Sequence, residues 1–361
     1  MKEIISFPHM GNYYIPVKYL LEKLTNLEVI ESPKITKKTL ELGEKYSPNN
    51  VCIPFKYNLG NFIETLNNGA NILFQSGGGC RYRYYAEVQE KILRDLGYDF
   101  KFIKLVSHDK IRIKESYNIF KDLNPNLSFY KFIHTFIITI FFIYYMDKID
   151  IIIRKRIGFE IEKNSFINLR NKMYKDFSKC NYLTTLTIKY FKYRKMFKKI
   201  KINKPKNCLK VGIIGELYTS MEPFSSYFLE EELAKMNIEI KRYTDLSYLL
   251  WKKKMITKHM LRKTKNYCKY TLGADGLDNV YRTIKLSKKY DGIIHTKPFG
   301  CTPEIGAIPI IKKVASEKEI PIIFFSYESE SSTEGIRTRL EAFYDLIKFR
   351  KEKKWKMDIW V

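Results

Sequence analysis

The chain has 361 residues, 45% hydrophobic and 15% aromatic, enough for two or three packed domains and too apolar for a disordered chain. Its 65 Lys and Arg against 39 Asp and Glu give a formal net charge of +26, which attracts polyanions such as nucleic acids, anionic lipids or coenzyme A phosphates without naming one. Six cysteines are too sparse for a disulfide scaffold at this length, so their positions matter more than their number.

The charge excess is carried mainly by Lys, in a chain also rich in Ile, Asn and Tyr, a residue usage that looks like an AT-rich genome. The solvated-surface reading of that charge therefore takes most of the weight. Met1, Lys2 and Glu3 lead directly into a strand-like Ile4-Ile5-Ser6-Phe7 with no apolar stretch ending in a small-residue cleavage site, and a cytoplasmic protein is expected.

The first hundred residues alternate short β-rich runs with helical periodicity, the mark of a parallel sheet flanked by helices. Strands are expected at Ile4 to Phe7, Leu27 to Ile30, Asn71 to Gln75 and Phe100 to Val106. Tyr85, Val88, Gln89, Ile92, Leu93 and Leu96 fall on one helical face, and Gly97 follows as the stop signal. A further helix is expected over Leu59 to Leu66.

From about Ser107 to Lys206 the chain lacks glycine except Gly158 and is dense in Lys, Phe, Tyr and Ile, which reads as a helical insertion. Within it Phe132 to Met146 is nearly all apolar but falls short of the roughly 20 residues that span a bilayer and contains His134, so a buried or domain-covering helix is expected. The basic, aromatic run from Lys189 to Lys201 suits a polyanion, yet reads first as a solvated helix face. Lys201 to Asn207, with Pro205, reads as a linker.

A second block repeats the alternation, with strands expected at Val211 to Ile214, Ile238 to Ile240, Gly292 to His295 and Ile320 to Phe325. The fold class expected is α/β, two flavodoxin-like doubly wound lobes with a helical insertion between them. Its divisions are 1–106, 107–207 and 208–361, the last with a terminal helix.

The repeat is sharpest where a strand runs into a cysteine. Asn71 to Gln75 leads through Gly77, Gly78 and Gly79 to Cys80, and Gly292 to His295 leads through Phe299 and Gly300 to Cys301. Ligands of open α/β sheets bind beyond the carboxyl ends of the strands, so these loops are where a site is expected. A thiolate at a helix N-terminus is stabilised by free N–H groups and the helix dipole. Cys52 lies in a third loop, between the turn signal Ser47-Pro48-Asn49-Asn50 and a helix-like run.

Thiolates suit iron-sulfur clusters and zinc, and a cluster held by three cysteines leaves one iron open. Unpaired cysteines are also commonly small buried residues, and spacing alone leaves both readings standing. Cys180, Cys208 and Cys268 lack glycine approach loops and read as structural, or as the source of a fourth ligand. Candidate catalytic residues are Glu216, His295, Lys297 and Glu304, with Arg81 beside Cys80; taken singly, each reads as an ordinary surface or capping residue. Neither GxGxxG nor GxxxxGK[ST] occurs, so no ATPase site is expected in the chain itself.

At these residues the sequence resembles the proteins described as acyl-CoA dehydratase activase-related, or CoA protein activase, which are similar to the D component of 2-hydroxyglutaryl-CoA dehydratase. The matching segments in the first half are Phe7-Pro8-His9-Met10-Gly11-Asn12-Tyr13, Ser47-Pro48 through Cys52-Ile53-Pro54-Phe55-Lys56, Gly60-Asn61, and Gly77-Gly78-Gly79-Cys80-Arg81-Tyr82. In the second half they are Gly215-Glu216-Leu217-Tyr218, Pro298-Phe299-Gly300-Cys301-Thr302-Pro303-Glu304 and Thr338-Arg339-Leu340-Glu341-Ala342-Phe343. Arg83, where a small residue is expected, and Tyr327-Glu328-Ser329-Glu330 depart from the pattern.

The resemblance implies flavodoxin-like lobes around a 4Fe-4S cluster whose ligands, carried over by motif, are Cys52, Cys80 and Cys301. It implies a partner, an ATP-dependent activase with its own iron-sulfur cluster, that delivers low-potential electrons. The reaction implied is a reductive or radical one such as dehydration of an acyl-CoA through a ketyl radical, by a 2-hydroxyacyl-CoA dehydratase-like lyase or a double-cubane-type reductase component. A dimer or a homologous second subunit is a further expected partner; nucleic acid and membrane are disfavoured. Two other readings stand beside this one: a non-catalytic iron-sulfur carrier or electron-transfer partner, and a polyanion-binding protein with structural cysteines.

Overall fold

The structure is a computed structural model that describes residues 2–77, 80–105 and 112–359, without the side chains of 81, 82 and 354–359. Gly78, Gly79, the side chain of Arg81 and the Val106 end of the fourth expected strand lie outside the described residues. By internal contacts the chain separates into two units, residues 1–145 with 174–189 and residues 146–173 with 190–361.

In the first unit β1 (Ile4–Ser6), α1 (Tyr14–Thr25), β2 (Glu28–Val29), α2 (Lys37–Tyr46), α3 (Ile53–Asn67), β3 (Ile72–Gln75), α4 (Tyr85–Asp95), β4 (Lys101–Lys104) and α5 (Ile113–Leu123) follow in chain order. The four strands form one all-parallel sheet in the order β2-β1-β3-β4. Residues alternate between its faces because side chains on a strand repeat every second residue. Ile72 and Phe74 of β3 therefore join Leu21, Leu24 and Phe120 of α1 and α5, while Leu73 joins Leu59, Phe62 and Leu93 of α3 and α4.

Four α-helices lie between the two sheets in the chain: α5, then α6 (Phe129–Arg154), α7 (Ser165–Phe177) and α8 (Leu183–Lys199). The apolar run at Phe132 to Met146 lies within α6, which extends beyond it at both ends. Aromatic rings hold these helices: Phe142 meets Phe177 edge-on at 5.5 Å, and Phe166 stacks on Phe197 at 6.4 Å. Among the described residues, no helix is long and apolar enough to cross a membrane.

In the second unit β5 (Lys210–Gly215), α9 (Leu217–Met221), α10 (Leu229–Lys235), β6 (Glu239–Arg242), α11 (Lys253–Thr264), α12 (Gly276–Leu286), β7 (Gly292–Pro298), α13 (Thr302–Glu317), β8 (Ile322–Tyr327) and α14 (Thr333–Ile359) repeat the plan. The sheet is again all parallel, in the order β6-β5-β7-β8. Ile294 packs with Leu233 and Phe343 on the side of α10 and α14, and Ile293 with Val280 and Ile311 on the side of α12 and α13. Each expected strand is present within a residue or a few of its expected bounds. The fold is α/β, with two four-stranded parallel sheets flanked by helices, as two flavodoxin-like lobes require.

In each sheet the first strand has its successor on one side and the third strand on the other, so connections leave in opposite directions from β1 and β3, and from β5 and β7. The carboxyl ends of those central strands are where such sheets place ligands.

Candidate functional site

The loops at those ends carry the cysteines. After β7, Gly300 turns with φ +75°, a conformation that costs a side-chain-bearing residue about 1–2 kcal/mol. Cys301 follows as the N-cap of α13, its carbonyl accepting the Ile305 amide at 2.9 Å while its sulfur makes no capping bond. After β3 the arrangement recurs: Gly77 has φ +78°, and exposed Cys80 precedes a 3-10 turn over Arg81–Tyr84 that runs into α4. Cys80 and Cys301 thus occupy equivalent places in the two repeats, after the third strand and ahead of the helix that follows it.

Cys52 has a different place, as N-cap of α3 ahead of the third strand. Its local geometry nonetheless matches Cys301: extended backbone, no capping bond from sulfur, and proline at the second helical position, Pro54 in α3 and Pro303 in α13. Proline fits the first turn because its missing N–H has no helical partner there. That is why α3 begins at Ile53, six residues ahead of the Leu59 start expected from sequence. The sulfur of half-buried Cys52 is in hydrogen-bonding contact with the Tyr85 hydroxyl at the start of α4. The place equivalent to Cys52 in the second repeat, the N-cap of α12, is held by Asp275.

Behind Cys301 lies a buried polar network. His295 Nε2 is 2.7 Å from Glu304 Oε2, and Asn279 Nδ2 donates to both Glu304 oxygens at 2.9 Å. Asn279 Oδ1 in turn accepts the Gly215 amide at 3.1 Å. Glu304 sits in the first turn of α13, so the network ties the Cys301 helix to β7, α12 and the end of β5. Lys297, also buried, donates to Ser326 Oγ at 2.9 Å. Burial pushes its ammonium down, opposed by the negative charges of Cys301, Glu304 and Glu328.

The reading of the four catalytic candidates as surface or capping residues is corrected for three of them. His295, Lys297 and Glu304 are buried, and burying such groups costs free energy unless they are partnered. Glu216 is a capping residue: its carboxylate accepts the Tyr218 and Thr219 amides and the Thr219 hydroxyl, each at 2.9 Å. Burial nevertheless pushes it up to about 7, the three hydrogen bonds opposing and the charge of Asp275 adding to the rise.

Asp275 belongs to a second cluster that sequence reading missed. Lys253 Nζ lies 2.7 Å from Asp275 and 3.6 Å from Asp278. The Tyr248 hydroxyl donates to Asp278, and the Arg282 guanidinium lies 4.4 Å from the Tyr248 ring centre. Asp275 and Lys253 are 22 positions apart, so no local spacing marks the pair.

Cys180, Cys208 and Cys268 are buried. Cys180 Sγ donates to Asp176 O at 3.4 Å and Cys268 Sγ to Tyr270 O at 2.8 Å. Among the described residues no group of three or more His, Cys, Asp or Glu side chains is assembled as a metal site; Cys52 and Cys80 belong to the first unit and Cys301 to the second. The chemistry of the loop donors suits a soft metal: three sulfurs on loops entering helix N-termini, where thiolate is favoured.

A search of curated proteins finds no match. Residues 192–347 match the family model described as 2-hydroxyglutaryl-CoA dehydratase, D-component. The matched part runs from α8 into α14; it contains Glu216, the buried network and Cys301, while Cys52 and Cys80 precede it. Over the lobe that carries Cys301, the chain is similar to the D component of 2-hydroxyglutaryl-CoA dehydratase.

Proposed function

We propose that the chain is an iron-sulfur protein of the 2-hydroxyacyl-CoA dehydratase-related type, in which Cys52, Cys80 and Cys301 hold a 4Fe-4S cluster. It accepts low-potential electrons from an ATP-dependent activase for a reductive or radical reaction such as dehydration of an acyl-CoA. The observation that carries this reading is Cys301, inside the segment that matches the dehydratase component, at the head of α13 after the central strand β7, with Cys80 in the equivalent place of the other repeat.

When bound, such a cluster supplies one-electron chemistry and an iron with an open coordination position. The work of the chain's own residues follows from their places. Glycine turns at Gly77 and Gly300 bring cysteine to helix N-termini, where amide groups favour the thiolate. The network of His295, Glu304 and Asn279 fixes the α13 end of that arrangement. Lys297 places a cation beside Cys301 that offsets thiolate charge, and Glu216, pushed up to about 7, can hold or release a proton near neutrality.

The test of the activity is a mixture of the anaerobically loaded protein with a 2-hydroxyglutaryl-CoA dehydratase activase, ATP and dithionite. ATP-dependent reduction of the cluster, read by electron paramagnetic resonance, with formation of enoyl-CoA from a 2-hydroxyacyl-CoA, is the expected result. A loaded cluster that no activase reduces would leave the carrier reading in its place.

A further inference from the structure

Residues 246–274, which run from the end of β6 through α11 toward α12, contain eight Lys or Arg and no Asp or Glu. Seven of these cations, Lys252, Lys254, Lys258, Arg262, Lys263, Lys265 and Lys269, are exposed, and among the described residues none has a carboxylate partner. Lys254, Lys258 and Arg262 recur every fourth residue, which sets them along one face about 6 Å apart at 1.5 Å rise per residue.

Three neighbouring acids, Asp245, Asp275 and Asp278, are buried and engaged inward, and exposed Glu317 accepts the Tyr267 hydroxyl at 2.6 Å. Asp245 accepts from the Ser247 hydroxyl and the Tyr248 amide, Asp275 pairs with Lys253, and Asp278 is held by Tyr248, Lys253 and Arg282. The inner side of α11 is committed too: Met260 packs with Cys268 and Leu277. The helix is thus fixed in place, with its cationic side outward.

Large apolar residues stand among the cations. Met255 is 81% exposed and Tyr270 78%. The loop that carries Tyr270 packs on the first turn of α13, since a Cβ at Gly273 would sit 3.6 Å from Pro303 Cγ and one at Gly276 2.9 Å from Pro303 O. The cationic face therefore adjoins the start of the helix that Cys301 caps.

We propose that this face, centred on Lys254, Lys258, Arg262 and Tyr270, is the docking surface for an acidic protein. Cations at the rim steer an oppositely charged partner and fix its orientation, while Met and Tyr are the residue types that protein interfaces concentrate at their cores. A membrane fits less well, because the apolar side of α11 is buried in the lobe and leaves no stripe to insert. That the acidic partner delivers electrons to the Cys301 end rests on the function proposed above; the docking does not.

The experiment measures binding of a plant-type 2Fe-2S ferredoxin, a small acidic protein, to the full chain by calorimetry at low and high salt. The triple variant Lys254→Glu, Lys258→Glu, Arg262→Glu is compared with Lys192→Glu, Lys195→Glu, Lys198→Glu on α8, and iron per chain is measured in every sample. The expected result is salt-sensitive binding that the α11 variant weakens by about tenfold or more and the α8 variant leaves within about twofold, with iron content equal in all three. Absence of binding, equal loss in both variants, or tighter salt-sensitive binding of a DNA duplex or of phosphatidylserine vesicles to the same face would overturn the proposal. Iron content reports on the cluster separately, so a protein that binds ferredoxin without iron would contradict the cluster alone.

Discussion

His295 Nε2 and Glu304 Oε2 lie 2.7 Å apart, with both side chains almost wholly removed from solvent. They are nine positions apart in the chain, one on a central strand and the other in the first turn of the helix that follows. The pair closes the β7–α13 connection over Cys301, and Asn279 completes it from α12.

Removing Glu304 takes away the partner of both His295 Nε2 and Asn279 Nδ2 in a buried setting. Glu304→Ala should therefore destabilise the second lobe by about 3–5 kcal/mol, and Glu304→Gln, which retains hydrogen-bonding capacity, by about 1–2 kcal/mol. Urea unfolding followed by circular dichroism measures both, and equal effects would contradict the network.

Gly215 ends β5 with φ +140°, and a Cβ there would stand 1.9 Å from Thr296 O. Gly215→Ala must push β5 from β7 as well as adopt an unfavourable backbone, so a loss of about 3 kcal/mol or more is expected. Gly300→Ala has the same kind of backbone conflict but no clash, with nothing within 4 Å of the added carbon. A loss nearer 1 kcal/mol is expected there, and thermal unfolding of the two variants should separate them clearly.

Glu216 carries a stability-linked proton. Burial pushes its carboxyl up to about 7 in the folded state, above the ordinary glutamate value of 4.5, so between these values the folded state holds more proton than the unfolded state. Stability should therefore fall as pH rises from about 4.5 to 7, by on the order of 2 kcal/mol after allowance for partial exposure. In Glu216→Gln that part of the pH dependence should be absent, measured as the urea midpoint across the window; an unchanged slope would show that another group is responsible.

Much of this lobe structure is legible from sequence because it is written in local period. Val211 to Ile214 and Gly292 to His295 are short apolar runs bounded by turn signals, and both prove to be buried central strands. The start of α3 lies ahead of the expected Leu59 because Pro54 reads as a breaker in sequence but occupies the first turn of the helix. Glu304 and His295 were visible as types but not as a pair. Asn279, which joins them to β5, carries no signal in its own neighbourhood, since its partners Gly215 and Glu304 lie 64 and 25 residues away. The same holds for Lys253 with Asp275. Sequence shows which residues could do chemistry; long-range pairing decides which of them are held still.

The most direct test of the cluster assignment is iron and acid-labile sulfide per chain after anaerobic purification, for wild type and for Cys52→Ala, Cys80→Ala, Cys301→Ala and Cys180→Ala. Roughly four irons per chain are expected in wild type and in Cys180→Ala, with loss in each of the other three. No iron after reconstitution, or iron unchanged in the Cys52, Cys80 and Cys301 variants, would contradict the assignment.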